Sequence, residues 1–287
     1  MIKCVLTLKV RKRLFRISSV IFIITAFIIV FIRPVISYAK NSLISSNTLN
    51  TSPSETPGSF LYDSYSTGIN DVKSYPYFFT KKSNRDYIVG FASALGASFI
   101  IDRWARIYAL KHQSDTATNI ANAVHPFGSL YYMVPAVSAL AIYGYSSQNR
   151  RLTNASLTSI ESLLFAGVIT EGLKIGIGRE RPNATNNPFN FKPFNMSNTY
   201  KSFPSGDATV AWSMITPYAV YYNAPYLYAI PVAVDLERVY RNEHWVSDTV
   251  MGSFIGFGIG YFFSKNHINK NLTVGTNGSD ITLSIKF

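Results

Sequence analysis

Three residues near the C-terminal end have side chains that could act together in catalysis: Arg238, His244 and Asp248. His244 and Asp248 are four residues apart, so in a helix both side chains lie on one face, one turn apart. A carboxylate in that place holds an imidazole in one tautomer and stabilises its cation. Arg238 adds a planar set of donors that suits phosphate oxygens. Taken alone, such a pair is more often a surface ion pair beside a core helix.

A second stretch supplies two further cations. Lys174 and Arg181 are seven residues apart, which is about two helical turns, so both side chains share one face of a helix. Pro182 predicts that this helix ends near Arg181, because the residue before a proline avoids the helical conformation.

A helix start lies between these two stretches. The run from Pro204 to Asp207 precedes an apolar helical pattern, and Ser205 is a candidate N-cap. The unpaired backbone N–H groups at such a start favour an anion. Three cations, a helix N-terminus and a supported histidine together predict a phosphate pocket that contains a nucleophile.

In their order and spacing, the three stretches resemble the motifs of the type 2 phosphatidic acid phosphatase (PAP2) superfamily. That superfamily includes lipid phosphatases, bacterial nonspecific acid phosphatases and vanadium haloperoxidases. Lys174 to Pro182 matches the first motif, Pro204 to Asp207 the second, and Arg238 to Asp248 the third. The resemblance covers roughly residues 160–263, and the joint spacing is what makes it specific.

The resemblance implies a metal-free and cofactor-free mechanism in which His244 attacks phosphorus and forms a phosphohistidine, while Asp248 orients His244. The residues that it assigns to phosphate binding are Lys174, Arg181, Ser205, Gly206 and Arg238. Two positions depart from the family pattern, since Asp207 stands where the second motif has histidine and Glu237 stands where serine is usual. The histidines outside the motifs are expected to be structural or exposed: His112, His125 and His267.

Asp207 raises a chemical difficulty, because the resemblance requires it to protonate the leaving group. A helix N-terminus and nearby cations both favour its carboxylate form, which is a poor acid at neutral pH. Three interpretations therefore stay open. The chain is a phosphatase acting on a lipid phosphate or a small phosphate ester, a phosphate-binding pseudoenzyme without turnover, or a vanadium-dependent haloperoxidase.

The composition bounds the possible partners. The chain has 287 residues, of which 47% are hydrophobic and 15% charged, with a net charge of +12. Seven basic residues and no acidic ones lie before residue 40, which leaves +5 for the remainder. A charge concentrated at the N-terminus does not indicate nucleic acid binding, so the expected partners are a phosphorylated small molecule or lipid and the membrane.

The chain divides into four predicted parts. Residues 1–39 have the basic start and apolar run of an export signal or N-terminal anchor, and residues 40–85 read as a linker and irregular arm. Residues 86–266 are expected to form an all-α phosphatase domain, a bundle of about six core helices. Residues 267–287 alternate like a short β-hairpin around Asn277.

The export signal predicts a location at the periplasmic side of a bacterial cell envelope. Most of the predicted helices are shorter than the roughly 20 apolar residues that a membrane span needs, and several carry charges. A periplasmic bundle, soluble or membrane-associated, is therefore favoured over a protein with many spans.

Overall fold

The computed structural model describes residues 85–269, 272–277 and 280–285. The predicted export signal over 1–39, and all but the last residue of the predicted arm over 40–85, lie outside the described residues. The body of the described chain is helical, which confirms the predicted all-α bundle.

Seven α-helices occur in the described part of the chain. They are α1 (Arg85–Lys111), α2 (Asp115–Val124), α3 (Leu130–Ser146), α4 (Arg150–Ile177), α5 (Gly206–Tyr221), α6 (Ala229–Tyr240) and α7 (Val246–Asn269). Short 3₁₀ turns cover His125–Gly128, Asn198–Tyr200 and Pro225–Tyr228. Two short strands follow α7, β1 (Leu272–Asn277) and β2 (Asp280–Ile285), which pair antiparallel. That these strands form a stable C-terminal β-hairpin stays a prediction.

Helix α4 ends earlier than the sequence predicted. It stops at Ile177, so Arg181 lies in the following loop and shares no helix face with Lys174. The cause is Gly178, which takes the left-handed conformation (φ 60°) and donates its N–H to the Lys174 carbonyl. A Cβ carbon at that position would lie 1.9 Å from the Lys192 carbonyl oxygen, so only glycine fits there. The loop from 178 to 205, rather than the helix, carries Arg181 to the site.

Helix α5 is the centre of the bundle, because it packs against both α4 and α7. Its apolar residues are buried on every side of the helix, which is typical of a helix in the core. Trp212 and Met214 are fully buried, and each such side chain contributes roughly 1.5–3 kcal/mol to folding. The Trp212 indole packs on Tyr228 and Phe257 and donates its N–H to Asp235 (2.9 Å). The start of this fixed helix is where the predicted phosphate site begins.

Two glycines allow α7 to approach α5 at backbone distance. A Cβ carbon at Gly252 would lie 2.4 Å from the Ser205 carbonyl oxygen, and one at Gly256 would lie 2.6 Å from the Thr209 carbonyl oxygen. The Ser205 N–H donates to the Asp248 carbonyl (2.9 Å), which joins the first turns of the two helices. The starts of α5 and α7 therefore lie side by side at one end of the bundle.

Several of the described helices expose large apolar side chains on their outer faces. Ile88–Lys111 and Val246–Ile268 are long and apolar enough to cross a membrane, and α2 with α3 forms a further candidate span bent by 57°. The outward face of α3 carries large apolar and aromatic side chains: Leu130, Tyr131, Tyr132, Leu140, Ile142 and Tyr143. Exposed apolar area of this extent indicates membrane association, so the membrane-associated form of the predicted bundle is favoured over the soluble one.

Replacing Gly256 with alanine is expected to lower the free energy of unfolding by about 1–3 kcal/mol, because the helices must separate to admit the methyl group. The control is Gly167→Ala in α4, where an added Cβ carbon meets nothing within 4 Å. That change should leave stability equal or raise it by about 0.5–1 kcal/mol. Melting temperatures in detergent measure both variants, and equal values for the two would contradict the close approach of α5 and α7.

Candidate active site

His244 lies immediately before α7, with only 4% of its surface exposed. Its Nδ1 is 2.8 Å from the Ser202 carbonyl oxygen, and its Nε2 is 3.4 Å from Nη1 of Arg181. A carbonyl only accepts and a guanidinium only donates, so both partners assign the ring proton to Nδ1. The lone pair of Nε2 is therefore directed towards the cation, where a bound phosphate would lie.

Burial lowers the pKa of His244 below its ordinary value, and the neighbouring Asp248 opposes that effect. The guanidinium of Arg181 lowers the pKa further, whereas the carboxylate of Asp207 raises it. The imidazole is consequently neutral at pH 7, which is the form that can attack phosphorus.

Asp248 lies beside His244, as the spacing predicted, but the contact is looser than a hydrogen bond. Its Oδ2 is 3.6 Å from Nδ1 of His244, so the Ser202 carbonyl is the direct partner of the ring. Oδ2 accepts from the Ser202 hydroxyl (2.5 Å) and from the Trp245 N–H (2.8 Å). Asp248 thus fixes the segments on both sides of the imidazole and places a negative charge beside it.

The other oxygen of Asp248 binds Arg179, a residue that the sequence analysis missed. Arg179 is fully buried and donates to Asp248 Oδ1 (2.6 Å) and to Asp102 Oδ2 (2.7 Å). Asp102 also accepts from the N–H (2.9 Å) and the hydroxyl (2.6 Å) of Ser247. An acidic residue in the otherwise apolar pattern of α1 was the signal that could have revealed this cluster, because such residues usually face a partner inside the bundle.

The guanidinium of Arg179 is enclosed by aromatic rings. Its central carbon lies 4.8 Å from the ring of Phe99 and 5.5 Å from that of Trp245. Aromatic faces attract a cation, and the attraction grows when water is excluded. The pair of carboxylates and this enclosure together stabilise a charge that would otherwise be too costly to bury.

The two first-motif cations approach the pocket from different elements. A Cβ carbon at Gly206 would lie 2.8 Å from Nζ of Lys174, so this ammonium group lies against the N-terminus of α5. Lys174 also binds Glu171 (2.7 Å). Arg181 binds the carboxylate of Glu243 (3.1 Å) besides approaching His244. Lys174 therefore lies at the N-terminus of α5, a place that suits an anion, and Arg181 lies beside Nε2 of His244.

Ser205 caps α5, as predicted. Its hydroxyl oxygen accepts from the Ala208 N–H (3.3 Å), and the residue is fully buried. The backbone of Gly206, the first residue of the helix, lies next to Lys174. This arrangement brings the second-motif backbone and the first-motif lysine together.

Arg238, at the end of α6, has three side-chain partners. Its Nη1 donates to Asp207 Oδ2 (2.5 Å), its Nη2 contacts Nδ1 of His125 (2.7 Å), and Glu237 binds the guanidinium through both oxygens. Glu237, the residue in place of the usual serine, also binds Arg241. Each of the three predicted phosphate-binding cations thus has a carboxylate partner, and a bound phosphate would have to compete with it.

Within the described residues, no group of three or more His, Cys, Asp or Glu side chains is arranged to hold a metal ion. Of the site residues predicted from sequence, Lys174, Arg181, Ser205, Gly206, Asp207, Arg238, His244 and Asp248 all lie around the starts of α5 and α7. His125, which was expected to be structural or exposed, lies there too.

Comparison with known proteins agrees with the motif pattern. Residues 155–272 match the PAP2 superfamily, which confirms the predicted resemblance. Lipid A 1-phosphatase of Rhizobium johnstonii is 29% identical over 100 residues, covering 33% of this chain and 41% of that protein. Lipid A 1-phosphatase of Porphyromonas gingivalis is 24% identical over 137 residues, covering 45% of this chain and 28% of that protein. The match thus spans less than half the length of each of these two relatives.

Two solved structures are also similar. LpxE of Aquifex aeolicus has a TM-score of 0.43 and 18% identity, covering 56% of this chain and 92% of that one. A transmembrane PAP2 type phosphatidylglycerolphosphate phosphatase of Bacillus subtilis has a TM-score of 0.44 and 15% identity, covering 72% of this chain and 96% of that one.

Replacing Arg179 with methionine is expected to destabilise the protein by about 3–5 kcal/mol, because two buried carboxylates lose their partner. Arg103→Met is the control, since Arg103 is exposed on the same helix as Asp102 and its loss should change stability by no more than about 0.5 kcal/mol. Thermal unfolding in detergent compares the two. A melting temperature of Arg179→Met equal to that of the control would show that the buried cluster is dispensable.

Proposed function

We propose, from the match of residues 155–272 to the PAP2 superfamily, that this chain is a phosphatase that hydrolyses a lipid phosphate monoester through a phosphohistidine on His244. The observation that carries the proposal is the state of His244: a buried, neutral imidazole whose free Nε2 faces Arg181 at 3.4 Å. A nucleophile in the correct tautomer beside a phosphate-binding cation is what an in-line attack on phosphorus requires.

The first step is transfer of the phosphoryl group to the protein. Nε2 of His244 forms a bond to phosphorus as the bond from phosphorus to the leaving oxygen breaks. Its ring becomes cationic, and the Asp248 carboxylate 3.6 Å from Nδ1 stabilises that charge. Nδ1 keeps its proton and donates it in a hydrogen bond to the Ser202 carbonyl throughout, so no second proton transfer at the ring is needed.

The cations and the start of α5 stabilise the phosphoryl group in the transition state of the transfer. Negative charge spreads over the three equatorial oxygens during the transfer. Lys174, Arg181 and Arg238 neutralise that charge, and the Gly206 N–H donates to it, while the Ser205 hydroxyl lies at the same helix start. Once phosphate has replaced their carboxylate partners, these groups need little further reorganisation during the reaction. Water then attacks the phosphohistidine and releases phosphate.

The substrate class follows from the surroundings of the site. Helices α1 and α7 are long and apolar enough to cross a membrane, and both contribute residues to the site or its support. A phosphate group at a membrane surface is within reach of such a site, whereas the acyl chains of its lipid stay in the bilayer. The curated relatives are named lipid A 1-phosphatases, which supports a phosphorylated lipid as substrate. We place the site at the periplasmic side of the envelope, as the export signal predicts.

A second candidate is a phosphate-binding protein without turnover. The observation that favours it is the ion pair between Asp207 and Arg238 (2.5 Å), which engages the predicted acid with a cation. In that case the pocket binds phosphate groups but supplies no proton to a leaving oxygen.

Turnover of a lipid phosphate and of an aryl phosphate separates the two candidates. The wild type should release phosphate from both, and His244→Ala should release none because the nucleophile is absent. His112→Ala, at the exposed end of α1, is the matched control and should retain full activity. Near-wild-type release by His244→Ala would contradict the mechanism. Vanadate binding by a wild type that hydrolyses neither ester would identify a binding protein.

The pH dependence of His244 is a further test. Its pKa is lowered by burial, so the ring stays neutral as the pH falls below about 6.5, the ordinary value. Activity should therefore persist below that pH and fall only when the lowered pKa is passed. An NMR titration of histidine ring resonances, assigned by comparison with His244→Ala, measures this directly. A midpoint above 6.5 would show that the burial effect does not dominate.

A further inference from the structure

His125 occupies a place that its sequence context did not reveal. It opens the short turn between α2 and α3, and its Nδ1 lies 2.7 Å from Nη2 of Arg238. Nδ1 is also 3.6 Å from Oε1 of Glu237. The imidazole therefore touches the third-motif arginine from an element outside all three motifs.

The turn that carries His125 is fixed against the start of α5. A Cβ carbon at Gly128, the last residue of that turn, would lie 3.1 Å from Cβ of Asp207 and 2.7 Å from a methyl carbon of Val234. The absence of a side chain at Gly128 is what permits this approach. His125 and Asp207 consequently flank the two terminal nitrogens of one guanidinium.

The two flanking groups differ in the proton they can offer. Asp207 accepts from Arg238 at 2.5 Å, so this oxygen is already engaged with the guanidinium. His125 accepts from Arg238 at Nδ1, because a guanidinium only donates, so its ring proton is on Nε2. Its side chain is 41% exposed, so the imidazole is only partly covered by the protein.

We propose that His125 is the proton donor to the leaving oxygen, and that Asp207 is a positioning residue that holds Arg238. This inference rests on the proposed phosphatase function. A histidine reaching Arg238 from the turn before α3 thereby replaces the histidine that the second motif lacks.

The proton transfers balance over the two steps. When phosphate binds Arg238, Nη2 turns to a phosphate oxygen, and Nδ1 of His125 is free to take a proton from solvent. The resulting imidazolium gives its Nε2 proton to the leaving oxygen as that oxygen separates from phosphorus and Nε2 of His244 bonds to phosphorus. Neutral His125 then accepts a proton from the water that attacks the phosphohistidine, which restores the imidazolium.

The charges around His125 permit this cycle. The groups that face it are Arg238 and Glu237 from α6 and Asp207 from α5, and Glu237 is shared with Arg241. These are two cations and two anions. The incoming phosphate is an anion, and an anion close to an imidazole favours its protonated form.

His125→Asn tests the proposal with two esters that differ in their need for a proton. Asparagine keeps an acceptor for Arg238 but has no transferable proton. The kcat/KM for an alkyl phosphate should fall by about 10²–10⁴-fold, whereas that for p-nitrophenyl phosphate, whose leaving oxygen needs little protonation, should fall much less. Asp207→Asn should affect both esters alike. His112→Asn, the same substitution at a histidine bound to the Tyr108 carbonyl, should affect neither.

The outcomes distinguish a failure of His125 as proton donor from a failure of the proposed phosphatase function. If the wild type hydrolyses both esters and His125→Asn loses the same factor on each, or loses nothing, His125 is not the donor although the protein is a phosphatase. A loss confined to the alkyl ester in Asp207→Asn would assign the proton to Asp207 instead. If the wild type hydrolyses neither ester, the phosphatase function and the donor both fail. An unchanged melting temperature and vanadate inhibition constant confirm that the variant folds, and His125→Gln is the second variant if it does not.

Discussion

The buried guanidinium of Arg179 is the interaction on which the site depends. It is fully enclosed, so its charge is tolerable only because Asp102 and Asp248 both bind it. These two carboxylates belong to α1 and α7, and Arg179 itself belongs to the loop after α4. One charge cluster therefore joins three elements, and Asp248 in turn fixes the segments on either side of His244. The orientation of His244, the proposed nucleophile, thus depends on the neutralisation of a charge that it does not itself contact.

Apolar side chains and ion pairs occupy different parts of the bundle. Several described helices expose aliphatic and aromatic side chains, whereas the ion pairs of Arg179, Arg181 and Arg238 lie where α5 and α7 begin. Burying charges among helices of this kind is costly, so they are found in pairs and clusters. The same arrangement puts the phosphate-binding groups at a surface rather than within the bundle, which suits a substrate whose polar part lies outside the bilayer.

Much of the site could be predicted from sequence, because the motif residues lie close together in short stretches with fixed local geometry. Ser205 caps α5 and Asp248 lies beside His244, as their spacing indicated. The position of Arg181 was predicted for the wrong reason, since Gly178 ends the helix before it. Arg179 with Asp102, and Arg238 with His125, could not be predicted: their partners are separated by 77 and 113 residues, and only the packing of helices brings them together.

In the proposed phosphatase, the carboxylate beside each phosphate-binding cation affects both phosphate affinity and product release. An anion that enters this pocket replaces Glu171, Glu243 or Asp207 at its cation, rather than a shell of water. Its binding free energy is therefore smaller than it would be at three unpaired cations. The same exchange in the reverse direction assists the departure of inorganic phosphate, because each cation regains an anionic partner as the product leaves. Carboxylates paired with the cations in this way lower the affinity for phosphate and increase the rate of its release.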